Sequence, residues 1–146
     1  MLKGLSIVVL FVYLLPSYDA KLYNKCELAR DLLNKHGFDK TYLANWICLV
    51  KHESNFDTSS VVERPGRRTR YGLFGIIKNT HCKEDSNRGI CGRKCEDFTD
   101  DYIDDDVECA KLIFERDGFK NWTNWEIRCK NTDLGNIPNL RHQCGI

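Results

Sequence analysis

Leu43-Ala-Asn-Trp-Ile-Cys-Leu-Val-Lys-His-Glu-Ser-Asn-Phe56 decides how this chain folds. Leu43, Trp46, Ile47 and Val50 recur at helical spacing, and the next position on that face is Glu53. A carboxyl that continues a core-facing stripe loses part of its water, and at a helix C-terminus it meets the negative end of the helix dipole. Both effects favour the protonated form, the form a general acid needs in order to protonate a leaving oxygen. The competing reading is a boundary glutamate that reaches solvent at the helix end. Sequence alone leaves the two side by side.

Outward from this helix, Leu28, Leu32 and Leu33 mark an earlier helix between Tyr23 and His36, with Gly37 as its stop and Asp39 or Thr41 as the cap of the next. From Asp57 to Arg70 helical periodicity vanishes. Arg70-Tyr-Gly-Leu-Phe-Gly-Ile-Ile77 then reads as a strand, and residues 78 to 101 as a loop-rich lobe stapled by cysteines. Val107, Ala110, Ile113 and Phe114 restore the helical period over Asp104 to Arg116. A short helix is expected near Trp122 to Cys129, followed by an irregular tail. Helices flanking strands make the class α+β.

Residues 1–20 have the layout of a secretory signal: one lysine, an apolar run from Leu5 to Leu15, Pro16, and a small residue at Ala20. The run is too short to span a bilayer, so the expected product is a secreted domain over 21–146. All eight cysteines follow the signal, and in an exported chain an even count reads as four disulfides. Spacing leaves on the order of a hundred pairings open. Structural zinc fits poorly, because no C-x-x-C pair is present. A formal net charge of +1 gives no global attraction to nucleic acid or anionic membranes.

The chain resembles the C-type lysozyme and α-lactalbumin family. The resemblance is carried by Lys21-Leu-Tyr-Asn-Lys-Cys-Glu-Leu-Ala29, Asn45-Trp-Ile-Cys48, His52-Glu-Ser-Asn-Phe56, Tyr71-Gly72, Cys109-Ala-Lys111 and Trp122-x-x-Trp125-x-x-x-Cys129. It implies a helical lobe, a small antiparallel sheet lobe, a sugar-binding cleft between them and the pairs Cys26–Cys144, Cys48–Cys129, Cys82–Cys95 and Cys91–Cys109. It also implies a monomer. Glu53 falls on the family's general acid and Trp122 on the tryptophan that walls it; Asn121, Tyr71 and His81 fall on the cleft as substrate-binding positions.

The second carboxylate is missing. Retaining glycosidases place it about 5 to 5.5 Å from the acid, and the family takes it from the Asp of an Asp-Tyr-Gly motif. Along the ungapped stretch from Phe56 to Tyr71, Arg70 stands there. A guanidinium opposes a cationic oxocarbenium-like transition state, and it is expected to favour ionised Glu53. The family's Gln and Asn further on correspond to Gly75 and Ile77, and its paired cleft aromatics to Thr80 and His81. Asp57 and Glu63 are the nearest acids, and neither occupies the vacated position.

Three functions follow from the resemblance. The first is a glycan-binding family member with weak or lost muramidase activity, recognising peptidoglycan or another N-acetylated or anionic glycan. Second is an active muramidase of antibacterial defence or digestion with Glu53 as acid; third is a non-catalytic calcium-binding regulator like α-lactalbumin. Glu96 to Asp106, continued by Glu108, packs eight acids into thirteen residues. The resemblance assigns calcium ligands there: carboxylates from Asp100, Asp105 and Asp106, and backbone carbonyls from Asp97 and Tyr102. The alternative is a solvated run with Asp104 to Asp106 at a helix start. Arg64-Pro-Gly-Arg-Arg-Thr-Arg70 offers four arginines in seven residues to an anionic ligand, or a solvated loop. Asn121-Trp-Thr123 is an N-glycosylation sequon at the expected cleft.

Overall fold

In the computed structural model, which describes residues 19–130 and 138–146, Asn24 opens the first helix. Its side-chain oxygen accepts the Cys26 N–H at 2.9 Å and starts α1, Lys25–Asn34. Gly37, at φ +63°, turns the chain back. Asp39 accepts the Thr41 N–H at 2.7 Å, so it caps the turn before α2 rather than the helix itself. α2 runs Leu43–Glu53, and its whole predicted stripe is buried, Glu53 included. The boundary alternative, a solvent-facing Glu53, is not what folds.

Trp46 explains why this face is fixed. Its ring lies 4.8 Å from Phe119, 5.0 Å from Phe38 and 5.7 Å from Trp122, mostly edge-to-face. Truncation to alanine would cost about 3–5 kcal/mol. α3, Asp104–Asp117, adds Val107, Ala110 and Ile113 to the same core, and α4, Thr123–Arg128, packs against α2. The tail is not irregular throughout: Pro138–Cys144 forms α5, tied to α1 by Cys26–Cys144. Proline at the first helical position has no amide to leave unpaired.

The sheet corrects two expectations. Arg70 to Ile77 is a hairpin rather than one strand, because Gly72 and Gly75 take positive φ and turn the chain between Arg70–Tyr71 (β2) and Ile76–Ile77 (β3). A first strand, Val61–Val62 (β1), lies in the stretch read as turn; two residues are too few to show a period of two. The order is β1-β2-β3, antiparallel, with Val61 opposite Tyr71 and Arg70 opposite Ile77. The lobe is packed as well as stapled, since Leu73, Phe74, Ile76 and Phe98 are wholly buried.

Four disulfides join Cys26–Cys144, Cys48–Cys129, Cys82–Cys95 and Cys91–Cys109, the pairs the resemblance implies. In the chain-entropy account each restricts the unfolded chain by about 3–5 kcal/mol. This is a lysozyme-like α+β fold. Among the described residues no helix is long and apolar enough to cross a membrane. The expected signal falls outside the described residues as far as residue 18.

Candidate functional site

Glu53 is the last residue of α2, and Arg70 is the first residue of β2, so helix end and sheet edge bring them face to face. Arg70 Nη1 donates to Glu53 Oε2 at 2.9 Å; the side chains are 13% and 1% exposed. The other carboxylate oxygen, Oε1, is buried with no hydrogen-bond partner. Burial pushes the Glu53 carboxyl above the usual carboxylate range, and the Arg70 guanidinium pulls against it without reversing the direction. Arg70 thus pulls toward the ionised form, the direction expected of it, and burial outweighs that pull.

Gly75 permits this arrangement. A Cβ at Gly75 would stand 2.5 Å from Glu53 Oε2, and the residue has φ +63°, so both space and backbone favour glycine. The sequence offered a cue only in the Tyr-Gly-Leu-Phe-Gly spacing, which marks a turn and not a contact with Glu53.

A cleft of about 420 Å³ opens beside the pair, lined by Arg67, Arg68, Arg70, Ile77, Asn121 and Thr123. Of the expected substrate-binding positions, Asn121 lines it, with Nδ2 donating to Asp117 at 3.2 Å. Thr123 joins the wall unforeseen, beside Ile77, which stands where the family resemblance puts a cleft asparagine. Trp122 is 1% exposed, and its indole N–H donates to the Phe74 carbonyl at 2.7 Å. It walls the core and offers no open face to a sugar. Tyr71 is buried, its hydroxyl donating to Glu84 at 2.6 Å. His81 is fully buried, with Nδ1 accepting the Ile77 N–H at 3.1 Å. Tyr71 and His81 therefore support the lobe from within rather than facing ligand, a correction that burial imposes. Asp57 spends its carboxylate on the Ser59 amide and hydroxyl.

Chemically, the site holds an acid in an environment that favours its proton, but one carboxylate oxygen is engaged by arginine and the other is sealed from solvent. Proton donation to a leaving oxygen requires approach to about 3 Å. Arg70 must move before a ligand oxygen reaches Glu53.

The acidic segment packs against the β2–β3 turn, where a Cβ on Gly72 would stand 2.7 Å from Asp106 Oδ1. Asp106, in the first turn of α3, is 1% exposed, and neither carboxylate oxygen has a hydrogen-bond partner. Burial, then the charge of Asp105, raises its pKa well above the ordinary range. Asp105 is also buried and raised by burial. Asp97, Asp100, Tyr102 and Asp105 line a hollow of about 500 Å³ with Arg93 and Asp101. Asp100 accepts the Tyr102 N–H at 2.8 Å, and Asp97 the Lys94 N–H at 3.1 Å. An unpartnered buried carboxylate beside oxygen donors is the chemistry calcium suits. Among the described residues, the group whose donor atoms lie within 4.8 Å of one another is Cys48, His52 and Cys129. Its sulfurs are joined in a disulfide, so it offers no thiolate.

A helical lobe and a three-stranded lobe, stapled by four disulfides of which Cys91–Cys109 ties the loop-rich lobe to α3, with a buried glutamate at the end of the second helix facing the sheet, define a lysozyme-like protein. The chain belongs to the C-type lysozyme/alpha-lactalbumin family, whose profile matches residues 21–140. It is 39% identical over 119 residues to lysozyme c-1 of Anopheles gambiae, covering 82% of this chain and 84% of the relative. It is also 39% identical over 105 residues to alpha-lactalbumin A of Equus caballus, covering 70% and 85%. A calcium-binding lysozyme from equine milk superposes with a TM-score of 0.73 at 32% identity, over 86% of this chain and all of that one.

Proposed function

We propose that the protein is a secreted, monomeric glycan-binding member of this family whose muramidase activity is weak or lost. The observation that carries the reading is the 2.9 Å contact between Arg70 and Glu53. Where a retaining glycosidase needs a negative group to steady the nascent sugar cation, this cleft holds a guanidinium, and that guanidinium also covers the acid. The ligand is peptidoglycan or another N-acetylated or anionic glycan, held along the wall that includes Asn121, with Trp122, Tyr71 and His81 shaping the cleft from behind. One observation favours an active muramidase instead: burial keeps Glu53 inclined to carry a proton. Cell-wall turbidity clearing by the wild type, Glu53→Gln and Arg70→Asp separates the two. Clearing by the wild type that disappears in Glu53→Gln supports the enzyme; inert wild type with activity in Arg70→Asp supports the disarmed cleft.

Calcium is the second part of the proposal. Asp100, Asp105 and Asp106 carboxylates, with the Asp97 and Tyr102 carbonyls, would hold it. Its contribution there is charge neutralisation at the start of α3. The orphaned Asp106 carboxylate supports the fit, as does kinship with a protein described as a calcium-binding lysozyme.

A further inference from the structure

Arg67 and Arg68 form a ridge with a hollow on either side. Both line the 420 Å³ cleft with Asn121 and Thr123, and both line a second hollow of about 360 Å³ with Thr69, Lys78 and Asn79. Arg64 and Arg70 close around the same pair in a smaller recess. The fixed cations here already have partners: Arg70 is held by Glu53 and Lys78 by Glu84 at 2.6 Å. Arg64, Arg67 and Arg68 are exposed, and among the described residues none of them makes an ion pair. Arg68 donates to the Thr80 hydroxyl, which orients it without neutralising it.

We infer that the Arg67–Arg68 ridge and its two flanking hollows form a groove for a linear anionic polysaccharide, whose charged groups seat on the two guanidinium forks while its hydroxyls meet the neutral walls. This deepens the glycan-cleft reading by naming the class of glycan. A planar guanidinium takes carboxylate or sulfate oxygens two at a time, which a lysine cannot do. Two concavities sharing one cationic ridge suit a chain that crosses the ridge, where a single small anion would need only one. Asn121, Thr123, Thr69 and Asn79 supply amides and hydroxyls of the kind that pair with sugar hydroxyls. Neither hollow has an aromatic lining, so nucleic-acid bases find no stacking platform.

Isothermal titration of the full mature protein at about 0.15 M salt tests this with four probes. These are a fully sulfated heparin octasaccharide, its desulfated counterpart that keeps only carboxylates, neutral chitohexaose, and a single-stranded oligonucleotide of matched charge. The wild type should bind at least one of the anionic octasaccharides, and the two arms tell sulfate from carboxylate recognition. Arg67→Ala/Arg68→Ala should weaken that binding by about tenfold or more, through loss of charge-assisted hydrogen bonds. Any loss of chitohexaose binding should be smaller than that, since a neutral sugar has no charge to pair, and the melting temperature should be unchanged, because both side chains are exposed. No binding of either octasaccharide, binding indifferent to the double substitution, or an oligonucleotide that binds as tightly as the better octasaccharide would overturn the inference. Chitohexaose that fails to bind either protein counts against the cleft reading alone, since the arginine dependence is read from the other arms.

Discussion

If Arg70 disarms the cleft as proposed, Arg70→Asp should make it hydrolytic. At an effective dielectric of about 20, one unit charge about 5.5 Å from the nascent sugar cation is worth about 3 kcal/mol. Removing the positive charge and installing a negative one therefore changes the transition state by about 6 kcal/mol, on the order of four decades in rate. Solvent weakens this little, because the Arg70 side chain is only 13% exposed and Glu53 1%. A second effect runs the same way. Arg70 opposes the upward displacement of the Glu53 pKa; Asp at that position removes the opposition and adds a like charge, so Glu53 holds its proton to higher pH. The gain should appear in kcat rather than KM, since Thr80 and the buried His81 still withhold aromatic stacking from the sugar. Cell-wall clearing measures the rate, and carbon NMR titration of Glu53 measures the acid. If Glu53 titrates higher in Arg70→Asp while clearing stays at the wild-type level, charge at position 70 is not what disarms the cleft. Equal, brisk clearing by both proteins refutes the reasoning outright.

Three further outcomes are expected. Calcium at a hundredfold excess over its dissociation constant adds about 2.7 kcal/mol, or roughly 10 °C in melting temperature for a domain of this size. Chelator should remove that increment in the wild type and leave Asp106→Asn unmoved in a differential scanning experiment. His81 is pushed down to about 4 from 6.5 by burial first and the charges of Arg116 and Arg68 next. The folded state therefore holds it neutral, and the unfolded chain takes up its proton first as pH falls. Its stabilising contribution is complete above pH 6.5 and should decline by about 3 kcal/mol toward pH 4. Urea midpoints of the wild type against His81→Gln across that window isolate the slope from opposing carboxyl effects. Gly75→Ala places a Cβ 2.5 Å from Glu53 Oε2 at φ +63°, which should cost about 1–3 kcal/mol in urea unfolding and move the Glu53 titration with it.

The α2 face was legible because four apolar residues and one acid at helical spacing leave few other arrangements, and burial of all five follows from that spacing. Two-residue strands carry no such signal, which is why β1 was hidden and the β2–β3 hairpin read as one strand. α5 was hidden for a related reason: seven residues rich in polar side chains show little periodicity before tertiary contact supplies it. At the site, the family resemblance placed Arg70 where a carboxylate belongs, but not the direction in which its side chain points. A long, flexible cation is free to leave for solvent, and the inward choice depends on the buried Glu53 offering the nearest unpaired charge. Tyr71 and His81 show the same limit. The family resemblance assigned them to the cleft, and packing turned them away from it.

That inward choice bears on why the acid persists. A glycosidase keeps its general acid stripped of water, and an unpaired buried carboxyl is a standing strain that function repays. Once Arg70 occupies the opposite edge, Oε2 has a partner and the strain is reduced to one orphaned oxygen, Oε1. Removing Glu53 alone then leaves the largely buried Arg70 guanidinium unpaired, and removing Arg70 alone restores the original strain. The pair resists reversal one residue at a time, and Gly75 reinforces it by admitting no side chain between Glu53 and the sheet. Glu53 in this chain is accordingly poor evidence for hydrolysis: the same ion pair that blocks the acid gives the fold a reason to keep it.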